Sequence, residues 1–287
     1  MRVLVTGATG FVGRHVVPAL LARNHDVVAV ARNCIRAQAM PWYSKVEFVS
    51  CDIHDPDVDL VKTLGIPDIL VHLAWPGLPN YKGNFHLEVN YPADHRFITK
   101  MVLGGVRHVL ITGTCLEYGM QTGALSEETL PMPITPYGIA KDELRRGLED
   151  FQTKQPFILQ WVRLFYIYGH GQNPNSLLSQ LDRAIDNKEE TFNMTQGEQL
   201  RDYLPVEDVA RCLTLLCERP ECLGIINCCS GKPISVRSLA EERIGQRGAK
   251  TKINFGFYPY PDYEPMEFWG DRRRLDSFLA ENVKEGK

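Results

Sequence analysis

The sequence predicts an α/β fold, a Rossmann-type doubly wound parallel sheet with a smaller C-terminal substrate-binding lobe. Three observations predict it. Short apolar runs alternate with helical stretches through the first half of the chain. Those runs lack the every-second-residue alternation of a half-solvated sheet, so helices should cover both faces. A glycine-rich turn, TGATGFVG, stands straight after the first apolar run and opens the first helical stretch.

The elements follow in order. RVLVTG is β-branched, closes on glycine and reads as the first strand. FVGRHVVPALLARN has helical periodicity, with Asn24 placed to end it in a left-handed conformation. DVVAVAR, KVEFVSCDI and PDILVHLAW are the next three strands, and a long helix is expected from about Phe85 to Gly104. RHVLITGT is a further strand, the stretch from Pro136 to about Lys154 a helix, and FILQWVRL the strand behind it. After about Tyr168 the character changes. GHGQNPNS is a loop, LLSQLDRAID, VEDVARCLTLLCE and SVRSLAEERIG are helices, and FYPYPDYEPMEFW is aromatic, proline-rich and irregular. The expected division is residues 1–168 for dinucleotide binding and 169–287 mainly for substrate. A strand and helix near 204–230 should return to the first unit.

Bulk properties narrow the function. A formal charge of −3 gives no global field for nucleic acid or an anionic membrane. The opening MRVLVTGATG does not read as a secretory signal, and no apolar run is long enough to cross a bilayer. The eight cysteines form no CxxC pair and keep no histidine cluster, so no metal site is expected and they read as reduced thiols of a cytoplasmic protein.

The turn carries the first chemistry. Gly7 permits the tight bend, Gly10 lets the backbone approach a pyrophosphate, and Gly13 lets helix and strand pack closely. The helix entry through Phe11 and Val12 then offers free N–H groups and the positive end of the helix dipole to phosphate. A preference for NAD would show as an acidic residue at the end of the second strand. That strand ends VAVARN, with Arg32 in place of the acid and Arg36 nearby. Guanidinium groups suit a 2′-phosphate, so NADP(H) is expected over NAD. Asp52 and Ile53 end the third strand where adenine would lie.

The stretch TPYGIAKDEL places Tyr137 and Lys141 one helical turn apart, just after a proline. A phenol titrates near pH ~10, and a neighbouring ammonium should favour its ionised form. TGATGFVG, ITGTCLEYG, PYGIAK and RDYLPVEDVA, in that order, resemble the extended short-chain dehydrogenase/reductases. More narrowly, they resemble the NAD(P)-dependent epimerase/dehydratase group acting on sugar nucleotides. The resemblance implies Tyr137 as proton donor or acceptor and Lys141 as its partner, also holding the nicotinamide ribose. It implies Thr114 as the hydroxyl that fixes the substrate oxygen, with Cys115 beside it against substrate. It places Leu73, Ala74 and Trp75 along the cofactor, Trp75 standing where relatives keep a small residue. Asn90 should support the active-site helix. Asn175, Arg201 and Arg272 fall where relatives contact the substrate diphosphate.

Departures from the family pattern bear on the reaction. Dehydratases place Asp-Glu directly after the catalytic threonine, and here Cys115 and Leu116 fill those positions. The cysteine and histidine of the epimerase/reductases related to GDP-fucose synthesis are offset by one residue, at Cys115 and His170. The favoured expectation is an NADPH-dependent 4-ketoreductase. It would turn dTDP-4-keto-6-deoxyglucose or a similar sugar into a fucose or 6-deoxytalose nucleotide for surface polysaccharide. The alternatives are an NAD-dependent sugar-nucleotide 4-epimerase and a non-catalytic NADP(H)-binding regulator. Relatives commonly form homodimers through the two long helices beside the active site, which is expected here too.

Overall fold

In the computed structural model, which describes residues 1–280, the chain opens with β1 (Arg2–Thr6), α1 (Gly13–Ala22), β2 (Asp26–Ala31) and α2 (Cys34–Gln38). β3 (Glu47–Ser50), α3 (Leu60–Leu64) and β4 (Ile69–His72) follow. A π turn at His86–Asn90 leads into α4 (Tyr91–Leu103), then β5 (His108–Thr114), β6 (Gly123–Leu125), α5 (Pro136–Lys154), β7 (Ile158–Leu164) and β8 (Tyr166–Tyr168). The remainder comprises α6 (Leu177–Asp186), β9 (Thr191–Asn193), β10 (Leu200–Pro205), α7 (Val206–Cys217), β11 (Gly224–Cys228), β12 (Pro233–Ser235), α8 (Val236–Gln246), β13 (Lys252–Asn254), β14 (Phe268–Gly270) and α9 (Arg273–Ala280).

Seven strands form one parallel sheet in the order β11-β7-β5-β4-β1-β2-β3. Helices cover both faces. Val16, Val17 and Leu20 of α1 and Leu213 and Leu216 of α7 bury against one face. Phe97 and Met101 of α4 and Leu144 and Leu148 of α5 bury against the other. This explains the near-continuous apolar strands, since each is shielded on two sides. The order reverses between β1 and β4, and there the carboxyl ends of the strands open into a crevice.

A second body of small sheets lies around the cleft. β10 pairs with β8 and β12, β9 with β13, and β6 with β14. Its own core joins α6 and α8 through Leu181, Ile185 and Ala240. α7 and β11 pack into the main sheet layer, whereas residues 281–287 of the anticipated lobe lie outside the described residues.

Three local expectations change. The helix foreseen from Phe85 begins as a π turn and becomes α-helical only at Tyr91, with Pro92 in its first turn. The third strand stops at Ser50, and Cys51 to Ile53 leave it to border the crevice. The aromatic, proline-rich segment ends in a strand, because Phe268–Gly270 pairs with Gly123–Leu125. Asn24 does take the left-handed conformation that ends α1, at φ 60°.

Candidate active site

A cleft of about 1090 Å³ runs along the carboxyl ends of the strands. Backbone forms its dinucleotide end. Gly7 turns with φ +67°, and its carbonyl accepts from Gly10 N at 2.8 Å. A Cβ on Gly13 would stand 2.3 Å from that same carbonyl oxygen, so only hydrogen fits where α1 meets β1. Gly10, Phe11 and Val12 line the cleft with this turn at the amino end of α1. The cradle fits the pyrophosphate of a nicotinamide dinucleotide, which would lie against free helix N–H groups.

Arg32, Arg36, Asp52 and Ile53 line the same end. No acid follows β2: Arg32 and then Asn33 stand there, and Asn33 caps α2 by accepting from Arg36 N at 2.8 Å. Arg32 approaches Asp52 at 3.8 Å, an exposed and loose pair. Arg36 lowers the basicity of Arg14, which burial lowers more, and the buried Nε of Arg14 has no partner.

Tyr137, Lys141 and Thr114 converge midway along the cleft. α5 starts with Thr135 accepting from Gly138 N at 3.1 Å and Pro136 in the first turn, so Tyr137 faces the cleft at once. Tyr137 is buried against the rings of Trp75, Tyr81 and His86, at centroid distances of 5.9, 5.6 and 5.2 Å. Burial pushes its phenol well above the usual range, Tyr81 and Glu117 add to this, and a hydrogen bond with Thr114 opposes it. The expected lowering by Lys141 is not among the influences on Tyr137, and desolvation dominates. Lys141 is 1% exposed, and burial lowers it to about 8, with Asp94 and Glu117 pulling the other way. Its ammonium donates to the Thr112 carbonyl at 2.8 Å and lies 3.9 Å from the centre of the Trp75 ring.

Thr114 ends β5 and is fixed from below. Its Oγ1 accepts from Leu116 N at 3.3 Å, and its own N–H donates to the Glu117 carboxylate at 2.8 Å. Glu117 is fully buried and also accepts from Trp161 Nε1 at 3.1 Å and Arg163 Nε at 2.6 Å. Sequence reading passed over Glu117. The threonine and the glutamate three residues later form a capping box, a pattern that could have found it.

Leu73, Ala74 and Trp75 border the cleft as expected. Trp75 does not leave the space a small residue would. Its indole donates to His86 Nδ1 at 3.0 Å, while His86 Nε2 donates to the Asn80 carbonyl at 2.7 Å. A carbonyl only accepts, so the proton sits on Nε2 and the imidazole is neutral, consistent with burial lowering its pKa. Asn90 donates to the Pro76 carbonyl at 2.9 Å, so it braces this loop.

The far end is lined by Cys115, Tyr81, Tyr166, Tyr203, Tyr263 and Glu264. Asn175 lies on the rim. Two expected substrate contacts are placed elsewhere. Arg201 lies behind the cleft wall, 3% exposed, donating to the carbonyls of Leu200 and Met266 and pairing with Glu264 at 3.2 Å. Arg272 donates to the Cys229 carbonyl at 2.6 Å and pairs with Asp276 at 2.7 Å, outside the cleft lining. Asp202 is structural, accepting from Ser230 N at 2.7 Å and Gly231 N at 2.9 Å. Among the described residues no group of three or more metal-ligating side chains occurs, and no helix is long and apolar enough to cross a membrane.

Comparison with known proteins bears on this arrangement. The chain is 33% identical, over 94% of its length and 99% of the relative's, to dTDP-6-deoxy-L-talose 4-dehydrogenase (NAD(+)) of Aggregatibacter actinomycetemcomitans. It is 26% identical to GDP-6-deoxy-D-talose 4-dehydrogenase of the same organism, covering 99% of this chain and 93% of that one. The solved structure of MoeE5 in complex with UDP-glucuronic acid and NAD superposes with a TM-score of 0.84 at 29% identity, over 98% of this chain and 93% of the other. The profile of the NAD dependent epimerase/dehydratase family matches residues 3–229, from β1 through α5 to β11. By profile, sheet order and glycine turn alike, the chain belongs to that family, an enzyme family of the extended short-chain dehydrogenase/reductases.

Proposed function

We propose that the protein reduces the 4-keto group of a nucleotide-linked 4-keto-6-deoxyhexose, such as dTDP-4-keto-6-deoxyglucose, with NADPH. The convergence of Thr114, Tyr137 and Lys141 in one cleft supports this reading. Burial pushes the Tyr137 phenol up, which suits a group that gives a proton to the substrate oxygen. Reduction needs a proton donor at the C4 oxygen. A bound nicotinamide supplies the hydride. Tyr137 gives its proton to the C4 oxygen, and the Thr114 hydroxyl donates a hydrogen bond that holds the same oxygen. Lys141 offers positive charge beside the phenolate formed. Cys115 and Leu116 hold the positions after Thr114, and burial pushes the Cys115 thiol up, so neither serves the acid-base pair of a dehydration.

The two talose dehydrogenases are named for oxidation at the same carbon. By microscopic reversibility the groups that catalyse one direction catalyse the other. Arg32 and Arg36 just after β2 support NADP(H), while relatives are named for NAD or were solved with it. The test follows the oxidation of NADPH and of NADH with dTDP-4-keto-6-deoxyglucose and identifies the product by NMR. A new C4 alcohol establishes the reductase; no turnover, with NAD retained through purification, establishes the epimerase. Arg32→Ala is expected to lower kcat/KM for NADPH about tenfold and to leave NADH within about twofold. A wild-type preference for NADH discards the 2′-phosphate reading.

A further inference from the structure

The far end of the cleft holds a polar pair that the chemistry above does not use. The Tyr166 hydroxyl is buried and no hydrogen bond of normal length satisfies it, although Glu264 and Arg201 stand close enough to act on it. Such a group costs stability and is kept only where something else supplies a partner. Tyr166 lines the cleft, its ring packed between Tyr203 at 5.4 Å and Phe268 at 6.0 Å, which fixes its direction. Beside it stands Glu264. Among the described residues only Asp52 and Glu264 are carboxylates lining the cleft, and Asp52 is at the dinucleotide end. Arg201 holds Glu264 from behind, Nη2 to Oε2 at 3.2 Å, and does not itself line the cleft. The pair thus presents an acceptor in front and keeps its cation at the back.

Position relates the pair to the reacting carbon. Glu264 acts electrostatically on Tyr81 and Cys115. Tyr81 packs on Tyr137 at 5.6 Å, and Cys115 follows Thr114 in the chain. The site therefore lies next to the group that meets C4. Loops from opposite sides close over it. Lys82 Nζ meets Asp262 at 2.8 Å, and the rings of Tyr81 and Tyr263 stand 6.0 Å apart.

We propose that Glu264 and Tyr166 together read one ring hydroxyl of the sugar: the hydroxyl donates to the Glu264 carboxylate and accepts from the Tyr166 hydroxyl. This rests on the reading of the substrate as a nucleotide-linked 4-keto-6-deoxyhexose. In such a sugar C1 carries the nucleotide, C4 meets Tyr137, and C6 is a methyl group. The hydroxyl read is then at C2 or C3. A site built around a hydroxyl rejects a substrate that lacks it far more strongly than it rejects a lost methylene, because its polar groups are left unpaired.

The experiment compares dTDP-4-keto-6-deoxyglucose with its 2-deoxy and 3-deoxy counterparts, on wild type, Glu264→Gln and Tyr166→Phe. One of the two deoxygenations is expected to lower wild-type kcat/KM about a hundredfold. That penalty should shrink below about tenfold in each variant. Tyr166→Phe is also expected to raise or preserve the melting temperature while lowering kcat/KM for the parent sugar, which loss of a purely structural hydroxyl would not do. Parent turnover with neither deoxygenation mattering, or with the penalty unchanged in both variants, overturns the pair as the reader. Absence of any turnover or binding of the parent by wild type overturns the substrate reading, and this inference with it.

Discussion

At the glycine-turn end of the cleft the chain offers a dinucleotide its backbone. Gly7, Gly10 and Gly13 lie within one turn of chain, and their spacing alone sets the cradle. At the sugar end the chain uses side chains instead, drawn from positions as distant as Tyr81, Tyr166 and Glu264. The contrast shows how far local geometry can carry a site. A phosphate can be held by N–H groups that every residue has, so the requirement reduces to where no side chain may stand. A sugar has to be recognised by directed hydroxyls, carboxylates and ring faces, and these depend on tertiary packing.

Between the two ends sit Thr114, Tyr137 and Lys141, the proposed catalytic trio, and the largest expected effect tests it. Tyr137→Phe should lower kcat by about a thousandfold while leaving dinucleotide affinity unchanged, because it removes only the proton donor. Turnover within tenfold of wild type sinks Tyr137 as that donor.

The next effect is on stability and has a definite sign. Folded Lys141 releases its proton near pH 8, whereas an unfolded lysine keeps its proton until about 10.5. Between those values the unfolded chain binds more protons, so this group makes stability rise as pH rises. Over that window it should contribute roughly 3 kcal/mol of slope, and Lys141→Met should remove it. Below pH 8 the variant should be more stable than wild type by that amount, less about 1 kcal/mol for the Thr112 carbonyl left without its donor. Parallel stability curves for the two proteins would show that Lys141 is not the group responsible.

Gly13→Ala attacks the backbone end. Its Cβ would meet the Gly7 carbonyl, so α1 must shift, with a loss of roughly 1–3 kcal/mol. Dinucleotide affinity should fall with it, and a wild-type melting temperature would mean that the close approach is not required. The smallest effect belongs to the clasp over the sugar end. Lys82→Ala breaks an exposed pair with Asp262, and kcat/KM should stay within about twofold. A larger loss would make the closure an obligatory part of sugar binding.

The same contrast explains what the sequence disclosed. The sheet, the glycine turn and the spacing of Tyr137 and Lys141 are local patterns, and each is where the residues indicate. Thr114 was legible through its neighbours. Arg201 and Arg272 were not, because a guanidinium in a matching motif can face the cleft or brace its wall, and partners distant in sequence decide which. For Arg201 those partners are Glu264 and Met266; for Arg272 they are Cys229 and Asp276. The basicity of Tyr137 and Lys141 escaped for a related reason. Spacing reveals that two charges are close, but burial depends on Trp75, Tyr81 and His86, which arrive from a separate loop.

That loop gives the molecule an optical property. Trp75 is the only indole among the described residues that lines the cleft, and it touches the ammonium of Lys141 and hydrogen-bonds His86. Indole emission overlaps the absorption of a dihydronicotinamide. Excitation of Trp75 should therefore pass to a reduced cofactor arriving beside it, so that the protein reports its own redox occupancy as a colour, without a label.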